Sequence, residues 1–184
     1  MRPEAFPILQ LGSSPAMLVS LDKGGIDAAV LTLPSFFVAE DRGYRILAEP
    51  GDLDIYYLQN SVDSTRSYVR KNRDQALRFI KGVIEGIAYF KKNKKESVEV
   101  LQKKLRIQSQ QERDVKYLDS SYNLLASKYY NHGPYAVPRA IETTLEFIAA
   151  DEPRAKGADP KLFMDESIIR EIEASGFIKT LYGN

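Results

Sequence analysis

Short apolar runs dominate the first third of this chain, and apolar stripes at helical spacing dominate the rest. Ile8, Leu9 and Leu11 form a run that stops at Gly12, which predicts a short buried strand. Ser13 and Ser14 follow, and Ser14 before Pro15 predicts a helix start, with the serine oxygen accepting from a free first-turn N–H and proline at the first helical position. Met17, Leu18 and Leu21 share one face of that helix, and Gly24 and Gly25 end it. Ile26 to Leu33 is almost wholly apolar after Asp27, the pattern of a strand covered on both faces of a parallel sheet. Pro34 and Ser35 open a second short helix, Gly43 closes it, and Tyr44 to Ala48 reads as a third strand.

Glu49 to Asp54 is a polar connection containing Pro50 and Gly51. Ile55 to Leu58 and Val62 to Val69 read as two further strands, the second with Val62, Ser64, Arg66 and Tyr68 on one face. From Asn72 the period changes to helical. Asn72 with Gln75 resembles a capping box, followed by the stripe Ala76, Phe79, Ile80, Val83, Ile84 and Ile87. Asn93 with Glu96, Ser109 with Glu112, Val137-Pro138 and Asp165 each precede another amphipathic helix, and Gly176 caps the one that carries Ile168, Ile169 and Ile172. The fold class predicted is α/β: a small parallel α/β unit over residues 1–52, connecting strands over 53–70, and a mostly helical remainder over 71–184.

In an open α/β sheet the turns at the carboxyl ends of neighbouring strands are where ligands sit. Ser13, Ser14, Thr32, Pro34 and Ser35 occupy two such turns, offering hydroxyls and helix starts that suit a polar or anionic ligand. Arg66 is the cation in the strand region able to reach a cleft. Each of these residues has a plainer role open to it, as helix cap, turn residue or surface arginine.

Charge and composition narrow the chemistry. Lys plus Arg number 26 and Asp plus Glu 25 in 184 residues, so nothing in the charge balance calls for nucleic acid or an anionic membrane. The basic cluster Lys91, Lys92, Lys94, Lys95, Lys103 and Lys104 is interleaved with glutamates and reads as a solvated face. There is no cysteine, which removes disulfides, thiolate nucleophiles and zinc–thiolate sites. His132 is the only histidine and lies in the loop-like Tyr129 to Pro134, so neither a metal site of two imidazoles nor a cofactor is expected. No stretch approaches the ~18 apolar residues of a membrane span. The terminus Met1 to Pro7 carries two prolines and no long apolar core, unlike a secretory signal, and enters a predicted strand abruptly.

Four segments together resemble the substrate-binding proteins of ABC importers for nitrate, sulfonates, taurine and thiamine-type pyrimidines: GSSPAMLVSLDKGGIDAAVLTLP, AEDRGYRILAE, STRSYVRKNRDQALRFIKGVIEGIAYFKKNKKESVEVL and DPKLFMDESIIREIEASGFI. The resemblance implies a two-lobed type 2 periplasmic-binding-protein fold, present here as its carboxyl-terminal part and lacking ~120 or more upstream residues. It implies a non-catalytic protein that delivers a small polar or anionic solute to a membrane permease in a periplasmic or extracytoplasmic setting. Residues 8 to 52 would belong to the second lobe, with Ser13, Ser14 and Thr32 to Ser35 in its cleft turns. Incomplete sheets would leave unpaired edges and invite a strand-exchanged homodimer. Two alternatives stand beside it: a non-transporting or degenerate interaction module, and a relative of the thiamine-pyrimidine synthesis enzymes, which depend on histidine- and cysteine-rich segments this chain lacks.

Overall fold

The structure, a computed structural model, describes residues 6–49, 56–58, 60–105, 112–130 and 135–183. The Met1–Ala5 start, the 50–54 connection, Ile55, the Ser109 helix start and the loop containing His132 lie outside the described residues.

The described residues are helical and contain no strand, so the expected parallel α/β sheet is corrected to an all-helical architecture. The elements are α1 (Ser14–Asp22), α2 (Ser35–Asp41), α3 (Arg66–Lys71), α4 (Arg73–Lys92), α5 (Lys94–Lys104), α6 (Glu112–Leu124) with a π turn Leu125–Tyr129, α7 (Pro138–Ile148), two 3₁₀ turns (Pro153–Ala155 and Pro160–Phe163), α8 (Ser167–Ala174) and α9 (Phe177–Tyr182).

The segments expected as strands lie without regular structure: Ile8 is 83% exposed, Val30 84% and Leu47 70%. An apolar run records a preference for burial, but a strand also needs a neighbour's N–H and C=O groups in register, and none is supplied among the described residues. The alternation over Val62 to Val69 is overridden by a cap. Thr65 has extended backbone and its hydroxyl accepts from the Tyr68 N–H at 3.2 Å, which starts α3 at Arg66.

The contacts divide the chain into two compact units, Met1–Leu47 with Val98–Leu125, and Ala48–Ser97 with Ala126–Asn184. In the first unit α1 packs on α2, and α2 packs on α6. Leu18, Ala39, Leu118 and Tyr122 are its buried apolar residues together with Tyr117. Tyr117 donates its hydroxyl to Asp41 at 3.0 Å, and Lys116 meets the same carboxylate at 2.9 Å, so α6 is tied to the end of α2.

The second unit holds two cores. Ile84 of α4 meets Ile168 and Ile172 of α8, with Val69, Ile80 and Phe177 packed around them. Ile141 and Leu145 of α7 meet Ala155, with Leu58 and Met164 at the margin. The helical stripe of α4 is buried at Ile84 and Ala88, while Phe79 remains exposed. The capping box expected of Asn72 with Gln75 is not formed. Asn72 and Asn93 instead donate their side-chain amides back to Tyr68 O and Tyr89 O, closing α3 and α4 rather than opening the helices that follow. Asp165 does what its position before α8 predicts, accepting from the Ser167 N–H at 2.9 Å. Gly176 adopts the left-handed conformation (φ 76°) that separates α8 from α9.

Candidate functional site

The two turns singled out by the sequence come together within the first unit. Ser13 is extended (φ −139°, ψ 152°) and caps α1, its hydroxyl accepting from the Ala16 N–H at 3.4 Å. Pro15 therefore stands second in the helix rather than first, and Ser14 is released from capping. Its Oγ reaches across to the other turn, accepting from the Thr32 N–H at 3.0 Å and sharing a hydroxyl–hydroxyl bond with Thr32 Oγ1 at 2.9 Å. Pro34, after a cis Leu33–Pro34 bond, precedes α2, and Ser35 is buried at its first position. Ser13, Ser14, Thr32, Pro34 and Ser35 are thus neighbours, gathered by helix starts alone and without the sheet expected to hold them.

The far end of α1 is tied in the same way. Gly24 (φ 67°) lets the chain leave the helix just beyond Asp22. That aspartate accepts from Arg42, at the end of α2, and from the Tyr44 hydroxyl at 2.9 Å. Donation to Asp22 holds the Tyr44 phenol above its ordinary pKa. Start is joined to start and end to end, so α1 and α2 run side by side in the same direction.

A cavity of about 320 Å³ lies between these helices and α6, lined by Pro15, Leu18, Val19, Ser35, Val38, Arg42 and Tyr117. Of its lining only Ser35 belongs to the residues the sequence pointed to. Arg42 and Tyr117 were missed because they become neighbours only when α2 meets α6 from far along the chain, and no local spacing encodes that.

Arg66 belongs to the second unit. It stands at the first position of α3 and donates from Nη2 to the Leu162 carbonyl. In the basic cluster, Lys91 donates to Tyr130 O at 3.0 Å and Lys92 to Leu181 O, structural roles for two of its cations.

Among the described residues no group of three or more His, Cys, Asp or Glu side chains is placed to hold a metal ion, and no helix is long and apolar enough to cross a membrane. What the turns offer chemically is hydrogen bonding: two hydroxyls already bonded to each other, each with capacity for a further partner. No family model, curated protein or solved structure matches this chain.

Proposed function

We propose that the protein binds a small polar or anionic organic solute, without catalysis, as a relative of the importer substrate-binding proteins that its sequence resembles. The observation carrying this reading is the bond between Ser14 and Thr32, which brings the two predicted ligand-contacting turns to one place. Ser14 Oγ and Thr32 Oγ1 exchange part of their mutual bonding for the solute's polar group, and the Ser14 N–H lies beside them, whereas Pro15 has no N–H and the Ala16 and Met17 N–H groups are bonded to Ser13. A sulfonate, nitrate or a pyrimidine suits such a hydroxyl-lined site, and an extracytoplasmic location and a membrane permease as recipient follow from the same resemblance. Arg66 keeps its pairing with Leu162 in this reading.

Thermal unfolding with a panel of taurine, alkanesulfonates, nitrate and aminopyrimidines tests it. At ~100 times its dissociation constant a ligand adds about 2.7 kcal/mol of stability. At roughly 2–4 °C per kcal/mol, a true solute raises the midpoint by more than about 5 °C. A midpoint unmoved by every compound rejects the proposal.

The exposure of Ile8, Val30 and Leu47 favours a second reading, a self-associating module without a transported solute. It requires the purified chain to sediment as a dimer or larger species whose population rises with concentration. A concentration-independent monomer removes it.

A further inference from the structure

The cavity of the first unit has a composition that selects among solutes. Its lining surface is about equally polar and apolar and is open on one side: Leu18 and Tyr117 are buried in its wall, Pro15, Val19 and Val38 add apolar area, and Arg42 and Ser35 supply polar groups. One cation, Arg42, lines it. Arg42 gives one N–H, on Nη1, to Asp22, and its remaining guanidinium donors meet no acceptor among the described residues. Asp22 accepts from Arg42 on Oδ2 and from the Tyr44 hydroxyl on Oδ1. Tyr117 donates its hydroxyl to Asp41, and its ring lines the cavity with the Lys116 ammonium 5.9 Å from its centroid. Ser35 contributes a small polar group at the wall, buried yet with no hydrogen bond to its side chain among the described residues. At about 320 Å³ the space is at the small end of ligand sites, which run from ~300 to ~1,000 Å³.

We infer that this cavity binds a compact monocarboxylic acid. Its hydrocarbon body packs against Leu18, Val19 and Tyr117, and its carboxylate pairs with the free edge of the Arg42 guanidinium. A partly apolar wall with one forked cation at its edge matches such a molecule, since arginine engages a carboxylate through two parallel N–H bonds. A dianion would find a single cation, Arg42, in the lining for its two charges, and a neutral isostere forgoes the charged bond. The inference goes beyond the turn-site reading above: it places a solute in the cavity of α1, α2 and α6, which does not include Ser14 or Thr32, and assigns its selection to Arg42.

The test is calorimetric titration of the full chain with benzoate and isovalerate, and with benzamide and isovaleramide as uncharged partners. Hydrogen bonds to charged groups are worth about 1.5–3 kcal/mol, so each acid binds roughly 10- to 100-fold more tightly than its amide. Arg42→Gln removes most of that preference and Arg42→Lys restores part of it. Val19→Trp, at a half-exposed position on α1, fills the space and abolishes binding; the melting curve of each variant confirms folding. Equal affinity for acid and amide, or full acid binding by folded Arg42→Gln or Val19→Trp, overturns the inference. If another solute then binds and is lost in Ser14→Ala, the turn-site reading survives this failure; if no compound from either panel binds, both fall.

Discussion

Ile172 is the most completely buried side chain in the second unit, with no exposed area, and it closes α8 onto Ile84 of α4. Replacing it with alanine removes three carbons from that contact. At about 0.8 kcal/mol per buried methylene the transfer loss is about 2.4 kcal/mol. The deleted volume is roughly 80 Å³; if half of it stays open, ~24 cal/mol per Å³ adds about 1 kcal/mol. Ile172→Ala therefore costs about 3–4 kcal/mol, a large share of the 5–15 kcal/mol typical of a whole domain. The comparison is Phe79→Ala on α4, which the apolar stripe in the sequence places beside Ile84 and the structure leaves 59% exposed. That change falls within about 0.5 kcal/mol. Urea unfolding followed by far-ultraviolet circular dichroism measures both. If Ile172→Ala costs less than about 1 kcal/mol, or if Phe79→Ala costs as much, α8 does not pack on α4 through this face.

Three further outcomes follow from single contacts. The Ser167 hydroxyl, then its N–H, hold the Asp165 carboxyl below its ordinary pKa. A depressed carboxyl contributes stability above its unfolded pKa of about 4 and loses it as pH falls through the folded value, so the wild-type midpoint drops on acidification below about pH 4 more than that of Asp165→Asn, whose amide oxygen can still accept from the Ser167 N–H without the charge; parallel curves of midpoint against pH refute this. Asp41→Ala leaves the buried Tyr117 hydroxyl without that acceptor and destabilises the first unit by about 1–2 kcal/mol. Combining it with Tyr117→Phe recovers part of the loss in denaturant titration, whereas strictly additive losses break the argument. Arg73→Gln removes two bonds to Glu171, at 2.6 and 3.2 Å between side chains about half exposed, and one to Ser167 Oγ at 3.2 Å, so it costs about 1 kcal/mol and the cost shrinks in high salt as the ionic share is screened.

Helix punctuation was the legible part of this sequence. Pro138 begins α7, Asp165 accepts from the Ser167 N–H just before α8, Gly24 and Gly176 sit where helices end, and the stripe positions Leu18, Ile84, Leu118, Tyr122, Ile141, Ile168 and Ile172 are buried. These signals are local: a cap needs only the next three residues. The sheet expectation failed because Ile8 to Leu11 and Ile26 to Leu33 carry apolarity without specifying a partner, and pairing is a long-range property. Local chemistry also overrode periodicity, as at Thr65, whose hydroxyl turned a predicted strand into the start of a helix. At the candidate site the residue types were legible and one role was not. Capping belongs to Ser13, and that one-position shift is what frees Ser14 for Thr32. Arg42 and Tyr117 gave no local sign of sharing a cavity, since only the packing of α2 on α6 places them together.

The central claim is that the Ser14–Thr32 junction contacts a solute, and it is tested most directly by titrating the best solute of the thermal panel into wild type, Ser14→Ala, Thr32→Val and Arg66→Gln. Loss of one hydroxyl contact worth about 1–1.5 kcal/mol weakens binding roughly 5- to 10-fold. The account predicts that loss in both Ser14→Ala and Thr32→Val, with Thr32→Ser near wild type and Arg66→Gln unchanged. Wild-type affinity in Ser14→Ala and Thr32→Val, with the chain folded, contradicts it.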